Sequence, residues 1–508
     1  DFCLSRGLGD VYKRQTYMTS DAGLSSNAEN ISTSDLNASV TDYSVKYDLS
    51  ALNALDSLNG IQVISRLHTL GLSRSDLMNP ETSMTSLNTN IQSALSGLPT
   101  QTVQYTGTDV DDLNQFLQNN TGKIVQLTQD IQVYKNTNGS FGIIMVPSDT
   151  ILDGNGHRLV MKAGYTEAPD VGVVLYVYKD GVIPSTNCGV KNLSTDIPYV
   201  NSINVFSADN ILIENNTLNN ATKSGIMISD EYGSTVNGII RGNTINNVGD
   251  DAIAVYGNHS NLLIDSNRIS GAKGFAGIAI SCLQNGQQIR VDNETTGPHD
   301  IIVTGNVVSG CSGEALYCIG SYKTYITYNT LRDSILEGVC LDSGCIGNYF
   351  AHNEVVNNGI AGGLPGVSID NGIYNIVDSN NVYNNSCSGI KLVRTGLGNI
   401  IVNNICTDNA YNQMGAKSSG IDIEPLAVET ENLGYIDGLG SNWNVVLNNT
   451  VTGSHDFGVF IADDDTANNG GSSCENVIMY NKFSSAYTFG AADFSSMSST
   501  VKNNITLN

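Results

Sequence analysis

A set of short segments in this chain shares one pattern, a Gly or Ala followed by apolar residues at alternate positions. They read G-I-M-I-S-D (225–230), A-I-A-V-Y (252–256), G-I-A-I-S (277–281), A-L-Y-C-I (315–319) and G-V-C-L-D (338–342), then G-V-S-I-D (366–370), G-I-K-L-V (389–393), G-I-D-I-E (420–424) and G-V-F-I-A (458–462). Strand alternation puts the second and fourth residues after the Gly on the outer face. From 338 onward that face stacks Cys340 and Asp342, Ser368 and Asp370, Lys391 and Val393, then Asp422 and Glu424, with Arg394 one residue past its strand. Paired carboxylates on neighbouring strands could serve as the acid and base of a glycosidase, their separation deciding retention or inversion. Alternatively, Asp342, Asp370 and Asp422 could hold Ca²⁺, which takes clustered oxygen ligands. A solvated polar face would carry the same residue types, since outward positions need no function.

The position before the Gly or Ala gives a second acidic set, Asp251, Glu314 and Glu337. Asp250 and Asp251 are adjacent in V-G-D-D-A-I-A-V (248–255), and Asp230 and Glu231 lie one repeat earlier in S-D-E-Y. His259 and His299 read as loop surface residues. Two insertions, 282–299 and 425–443, leave the same end of the same repeated strand, and long loops on one face of a repeat protein usually border its binding surface. The second insertion carries Tyr435 and the single Trp of the chain, Trp443. With Tyr256 they offer aromatic faces suited to sugar rings. The expected site is therefore a groove lined by Asp342, Asp370, Lys391, Asp422 and Glu424 and walled by the two insertions.

The elements that must position these residues recur throughout. An Asn closes each unit, at 216, 243, 267, 306, 329, 353, 381, 404, 449, 481 and 504, with most spacings between 23 and 28 residues. That period, made of strand-like runs without an intervening helical pattern, is a solenoid signature. It predicts an all-β parallel β-helix, each coil holding about three short strands stacked ~4.8 Å from the next. Asn suits the corners because it tolerates left-handed backbone angles, and stacked amides can hydrogen-bond from coil to coil.

Upstream, residues 1–15 do not match the polar style that follows and read as a non-native lead, so that any export signal would be lost with the true N-terminus. Residues 16–105 read as a polar lead-in with short helices, Leu recurring mostly at three-residue spacing from Leu52 to Leu70. D-V-D-D-L-N-Q-F-L-Q (109–118), within 106–122, reads as a helix capping the solenoid, and the β-helix itself is expected over 123–508.

Composition narrows the partners. Lys and Arg number 24 against 49 Asp and Glu, a net charge of −25. Nucleic acid and anionic membrane surfaces both call for a basic face and are excluded as partners. No apolar run is long enough to span a bilayer. The cysteines show no C-x-x-C pairing for zinc, their odd number (Cys3 apart) argues against a complete disulfide framework, and Cys318 and Cys340 read as small strand hydrophobes.

The opening coils, with K-I-V-Q-L-T-Q-D-I-Q-V (123–133), D-T-I-L-D-G-N-G-H-R-L (149–159) and C-G-V-K-N-L-S (188–194), resemble the pectate-lyase-like superfamily of right-handed parallel β-helices. The resemblance covers roughly 123–508 and is specific for architecture, since that fold hosts lyases, hydrolases, epimerases, tailspikes and adhesins. Resemblance to pectate lyases implies that Lys391 or Arg394 abstracts a proton beside a uronate carboxyl, with calcium as the cofactor. V-G-D-D-A-I-A-V is similar to the G-D-D motif of polygalacturonase-like hydrolases, which would make Asp250 and Asp251 catalytic. K-S-G-I, F-A-G-I and E-A-L-Y stand where that family has its other three motifs. The resulting expectation is a secreted or surface-attached protein that cleaves a polysaccharide by hydrolysis or β-elimination. The alternatives are a non-catalytic adhesin or glycan-binding stalk, and a phage-type tailspike, which would need trimerisation.

Overall fold

The computed structural model describes residues 79–135, 142–178, 182–231, 233–284, 287–288, 297–342, 344–394, 396–410, 419–424, 441–462, 473, 475–484, 487, 489–495 and 499–507. The expectations for residues 1–15 and for most of the polar lead-in lie outside them. The chain divides into two compact units, Glu81–Ile289 with Thr295–Gly313, and the C-terminal Glu314–Asn508.

Both units are built from one kind of coil, three short strands that each pair in parallel with their equivalents in the next coil. In the N-terminal unit, sheet 1 aligns Ile211, Gly238, Leu262 and Ile301. Sheet 2 aligns Leu218, Ile245, Ile269 and Val308, and sheet 3 aligns Ile203, Ile226, Ile253 and Ile278. In the C-terminal unit the inward columns are Phe350–Val377–Ile401–Val446–Ile478, Val355–Val382–Cys406–Val451–Phe483 and Leu341–Ile369–Leu392–Ile423–Ile461. These side chains are buried. Each fully buried aliphatic contributes ~1.5–3 kcal/mol, so the columns are the main cohesive term. The fold is the right-handed parallel β-helix expected from the repeat.

The corner Asn behaves differently from the expectation in two respects. First, the closing Asn is not itself left-handed. The residue before it is, as at Asn215, Asn403, Asn448 and Asn503, all with φ of 53–57°. The closing Asn is instead buried and forms the ladder. Asn353 Oδ1, for example, accepts from the backbone N–H and the Nδ2 of Asn329 at 2.9 and 3.0 Å. The ladder runs 216–243–267–306 in the N-terminal unit and 329–353–380–404–449–481–504 in the C-terminal unit. Second, its member in the coil of 381 is Asn380, and Asn381 is exposed on the following strand. Two neighbouring asparagines there made the register ambiguous by one residue. The C-terminal unit has two more ladders, 348–375–399–444–476 and 358–385–409.

His455 ends the last of these. Its Nε2 accepts from the backbone N–H of Asn409 at 3.1 Å. His259 plays a similar part in the N-terminal unit. Far from being a surface loop residue, it is fully buried, and its Nδ1 accepts from the Thr235 backbone N–H at 2.9 Å. His299 opens a strand of sheet 1, partly buried, with Nδ1 2.7 Å from Asp300 Oδ2.

A helix lies within the segment 106–122. Helix α2 (Val110–Asn119) buries Val110, Leu113 and Leu117, and its N-cap Asp109 accepts from the Asp111 N–H at 2.9 Å. The β-helix, however, begins ahead of residue 123. Strand Thr102–Tyr105 pairs in parallel with Lys123–Leu127, so α2 is inserted between two strands of sheet 1. Helix α1 (Pro80–Ala94) is the described part of the helical lead-in. In-out alternation also has an apolar exception. The outward row Tyr349–Ile376–Ile400–Val445 of sheet 1 is as buried as the core. All eight described cysteines are buried, Cys318 and Cys340 among them.

Candidate functional site

The outward face of sheet 3 in the C-terminal unit carries the expected residues, on strands Val339–Asp342, Val367–Asp370, Ile390–Val393 and Ser419–Glu424. The inward residues Val339, Val367, Ile390 and Ile421 fix which side faces out, because they are fully buried. Register then gives two outward rows. One is Tyr317–Cys340–Ser368–Lys391–Asp422–Phe460, the other Ile319–Asp342–Asp370–Val393–Glu424.

Two ion-paired groups occupy these rows. Lys391 Nζ lies 2.9 Å from Asp422 Oδ2 and 2.8 Å from Glu424 Oε2. Arg394, with φ 58°, curls back so that its guanidinium lies 3.3 Å from Asp370 Oδ1. Asp370, Asp422 and Lys391 are only 1%, 2% and 6% exposed. Asp342 and Glu424 are the more accessible carboxylates, and Asp342 Oδ2 accepts from the Tyr317 hydroxyl at 2.7 Å.

The electrostatics follow from burying two carboxylates around one ammonium. Burial works against a charged Lys391, but Asp422 and Glu424 outweigh it and push its pKa above the usual lysine range. Asp422 moves up to about 7, through burial first and then the Glu424 charge, with Lys391 and a Ser388 hydrogen bond opposing. Burial thus holds Asp422 well above the usual carboxylate range, beside a lysine that its carboxylate neighbours keep charged. A lysine so held is a poor base, since a base must first be neutral.

Ser388 is a member of the site that the sequence reading passed over. It is fully buried, with Oγ 3.3 Å from Asp422 Oδ2 and 3.1 Å from Ser419 Oγ. Its position directly before Gly389 matches that of Asp251, Glu314 and Glu337 in their own repeats, so the column that nominated those acids also contained it. Glu314 and Glu337 are buried.

The donor set does not fit calcium. Asp422 lies in a different row from Asp342 and Asp370, and both Asp370 and Asp422 already face a cationic side chain. A bound ion would have to displace Lys391 or Arg394. Among the described residues, no group of three His, Cys, Asp or Glu is placed to hold a metal.

Asp250 and Asp251 lie in the N-terminal unit. Asp251 is fully buried, and its Oδ1 accepts from the Ala276 N–H at 2.8 Å. That is the job Asn201 does for the Ser224 N–H in an earlier coil. The Tyr256 hydroxyl donates to its other oxygen. Burial, then the Asp250 charge, pushes Asp251 up to about 7. Asp250 is raised by burial against the pull of Lys223, and Asp230 is also raised by burial.

Of the aromatic residues expected to meet sugar, Trp443 is 5% exposed and its indole N–H donates to Glu475. Tyr256 is half-buried. Tyr435 and most of both insertions lie outside the described residues.

Comparison with known proteins agrees with this architecture. A family profile described as right handed beta helix region matches residues 175–355. No curated protein sequence matches the chain. Among solved structures, the chain is similar to a mannuronan C-5 epimerase A-module of Azotobacter vinelandii, at 14% identity over 79% of this chain and 100% of that one, with a TM-score of 0.41. It is also similar to the tailspike protein of E. coli bacteriophage HK620 in complex with a pentasaccharide (15% identity, 77% of this chain and 73% of that one, TM-score 0.46). A third is the surface adhesin PfbA of Streptococcus pneumoniae (12% identity, 75% and 90%, TM-score 0.43). At these identities the likeness is one of fold. Among the described residues, no helix is long and apolar enough to cross a membrane.

Proposed function

We infer that this chain is an extracellular carbohydrate-active protein that hydrolyses a polysaccharide laid across the outer face of sheet 3 in its C-terminal unit. The observation that carries this reading is the Asp422–Lys391–Glu424 group, two carboxylates on one ammonium. Burial and the Glu424 charge raise Asp422 to about 7, and Lys391 links it to the half-exposed Glu424, the group we assign as acid toward a leaving glycosidic oxygen. Asp370, ion-paired with Arg394, and the accessible Asp342 supply the opposing base that activates water. Asp370 and Glu424 are two strands apart, ~10 Å between Cα atoms. The inverting arrangement, with a water between the two carboxyls, is the one proposed. Hydrolysis is favoured over β-elimination because Lys391 and Arg394, the two candidate bases for elimination, are each ion-paired with carboxylates.

The test is digestion of a glycan panel with and without EDTA, read by product mass. Hydrated products that survive chelation are expected, falling about 10²–10⁴-fold in Glu424→Gln. Unsaturated products, lighter by one water, would overturn hydrolysis.

A second reading is a non-catalytic glycan-binding protein or adhesin, in which these pairs only hold the sheet's outer face together. The depth of Asp370 and Asp422 favours it. In that case no glycan is cleaved, and Asp422→Asn changes the unfolding midpoint alone.

A further inference from the structure

From Asn192 onward, the corner between sheets 1 and 2 takes one left-handed residue in each coil. In the N-terminal unit small residues fill it, namely Asn192, Asn215, Gly242, Ser266 and Gly305. In the C-terminal unit the same column reads Tyr328, His352, Ser379, Asn403, Asn448, Tyr480 and Asn503, all with φ of 53–57°. A left-handed backbone costs a bulky L-residue free energy that Asn and Gly largely avoid, so an aromatic ring here needs an offsetting gain. Packing does not supply one at Tyr328, which is 62% exposed. Its ring lies parallel to that of His352, itself exposed, with centroids 5.0 Å apart and 13° between planes.

Polar groups adjoin this pair on the outer face of sheet 2. Thr330, Glu354 and Asn381 are aligned across three strands, with Tyr383 outward two residues beyond Asn381. The Tyr383 hydroxyl donates to Glu354 Oε1 at 2.5 Å, and Thr330 Oγ1 donates to the other oxygen at 3.4 Å. An exposed ring face beside a fixed carboxylate, a hydroxyl and an exposed amide is the chemistry that recognises a pyranose. The apolar face of the sugar stacks on the ring, and its hydroxyls bond to the polar groups. Glu354 and Asp333 leave this face acidic, with the neighbouring Arg332 ion-paired to Asp333 at 3.2 Å, which disfavours an acidic sugar.

We propose that Tyr328, His352, Glu354, Asn381 and Tyr383 form a second carbohydrate subsite, for a neutral pyranose, on the outer face of sheet 2 rather than on the carboxylate rows of sheet 3. The site depends on the glycan reading above but not on catalysis. It holds the polymer while another part of the chain acts on it.

The experiment is titration of full-length protein with neutral and uronate-containing oligosaccharides, alongside unfolding midpoints and turnover. Tyr328→Asn is expected to weaken binding of the neutral ligand at least tenfold while raising the unfolding midpoint, since Asn relieves the corner. Tyr328→Trp should keep binding, and Tyr480→Asn, in the same column without a stacked ring among the described residues, should leave it unchanged. Unaltered binding in Tyr328→Asn overturns the subsite, and so does a lowered midpoint, which would mean the ring is there for packing. Wild-type protein that binds only acidic oligosaccharides, or none, overturns it as well. Glu424→Gln, which tests cleavage, should retain neutral-ligand binding. Loss of turnover in Glu424→Gln with binding unmoved by Tyr328→Asn would leave hydrolysis standing and remove the subsite alone.

Discussion

His259 and His455 show how far a residue's type can mislead about its role. Both are held near a pKa of about 4 by burial, against local interactions that favour the charged form. Each has a ring nitrogen accepting from a backbone N–H, which requires that nitrogen to be unprotonated. Imidazole signals from both should therefore titrate near pH 4 in an NMR series, and a midpoint near 6.5 for either would contradict the burial assignment. Their stability contribution has a definite sign. The folded pKa lies below the unfolded one, so stability is lost as pH falls from about 6.5 towards 4. Asp251 acts in the opposite sense. Its folded pKa of about 7 exceeds the unfolded value, so its ionised form is a cost above neutrality that fades as pH falls. Asp251→Asn keeps the acceptor for the Ala276 N–H and should raise stability at pH 8, by on the order of 3 kcal/mol. Little of that gain should remain at pH 4.5, and chemical unfolding at the two pH values measures the difference.

At the scale of the element, the ladders tie one coil to the next at points the aliphatic columns do not reach. Asn404 Oδ1 accepts from both the backbone N–H and the Nδ2 of Asn380, at 3.0 and 2.9 Å. Asn404→Ala leaves two buried donors without that acceptor and should cost about 3 kcal/mol in urea unfolding. Asn381→Ala, on the exposed strand next to the ladder, should change stability by less than about 0.5 kcal/mol. Equal losses from the two would show that the ladder is not the cohesive element. In-out alternation was legible in the sequence for sheet 3, because its inward Ile, Leu and Val contrast with polar outward residues. It was not legible in sheet 1, where Tyr349, Ile376, Ile400 and Val445 face outward yet are as apolar as the core.

For the whole molecule, a charge of −25 makes a clear demand. The chain should not bind duplex DNA or anionic vesicles at low salt, and retention on either in a co-sedimentation assay would reveal a basic face that the net charge argues against. The contrast between the units also belongs to this scale. Bulky left-handed corners such as Tyr328, His352, Tyr374, Arg394, Trp443 and Tyr480 all lie in the C-terminal unit, which also holds the Asp422–Lys391–Glu424 group.

The sequence by itself determined the β-helix, because the closing Asn and the alternating aliphatics recur at nearly fixed spacing, and a period is a local property of the chain. It also determined which residues share an outward row of sheet 3, because parallel register follows from aligning repeats. Only the tertiary structure decided what those residues are to one another. Whether Lys391 faces one carboxylate or two, whether Asp370 is met by Arg394, and whether His259 is a surface residue or a buried acceptor all depend on side-chain direction and burial. Those are set by neighbours 23 or more residues away, and repeat spacing does not encode them.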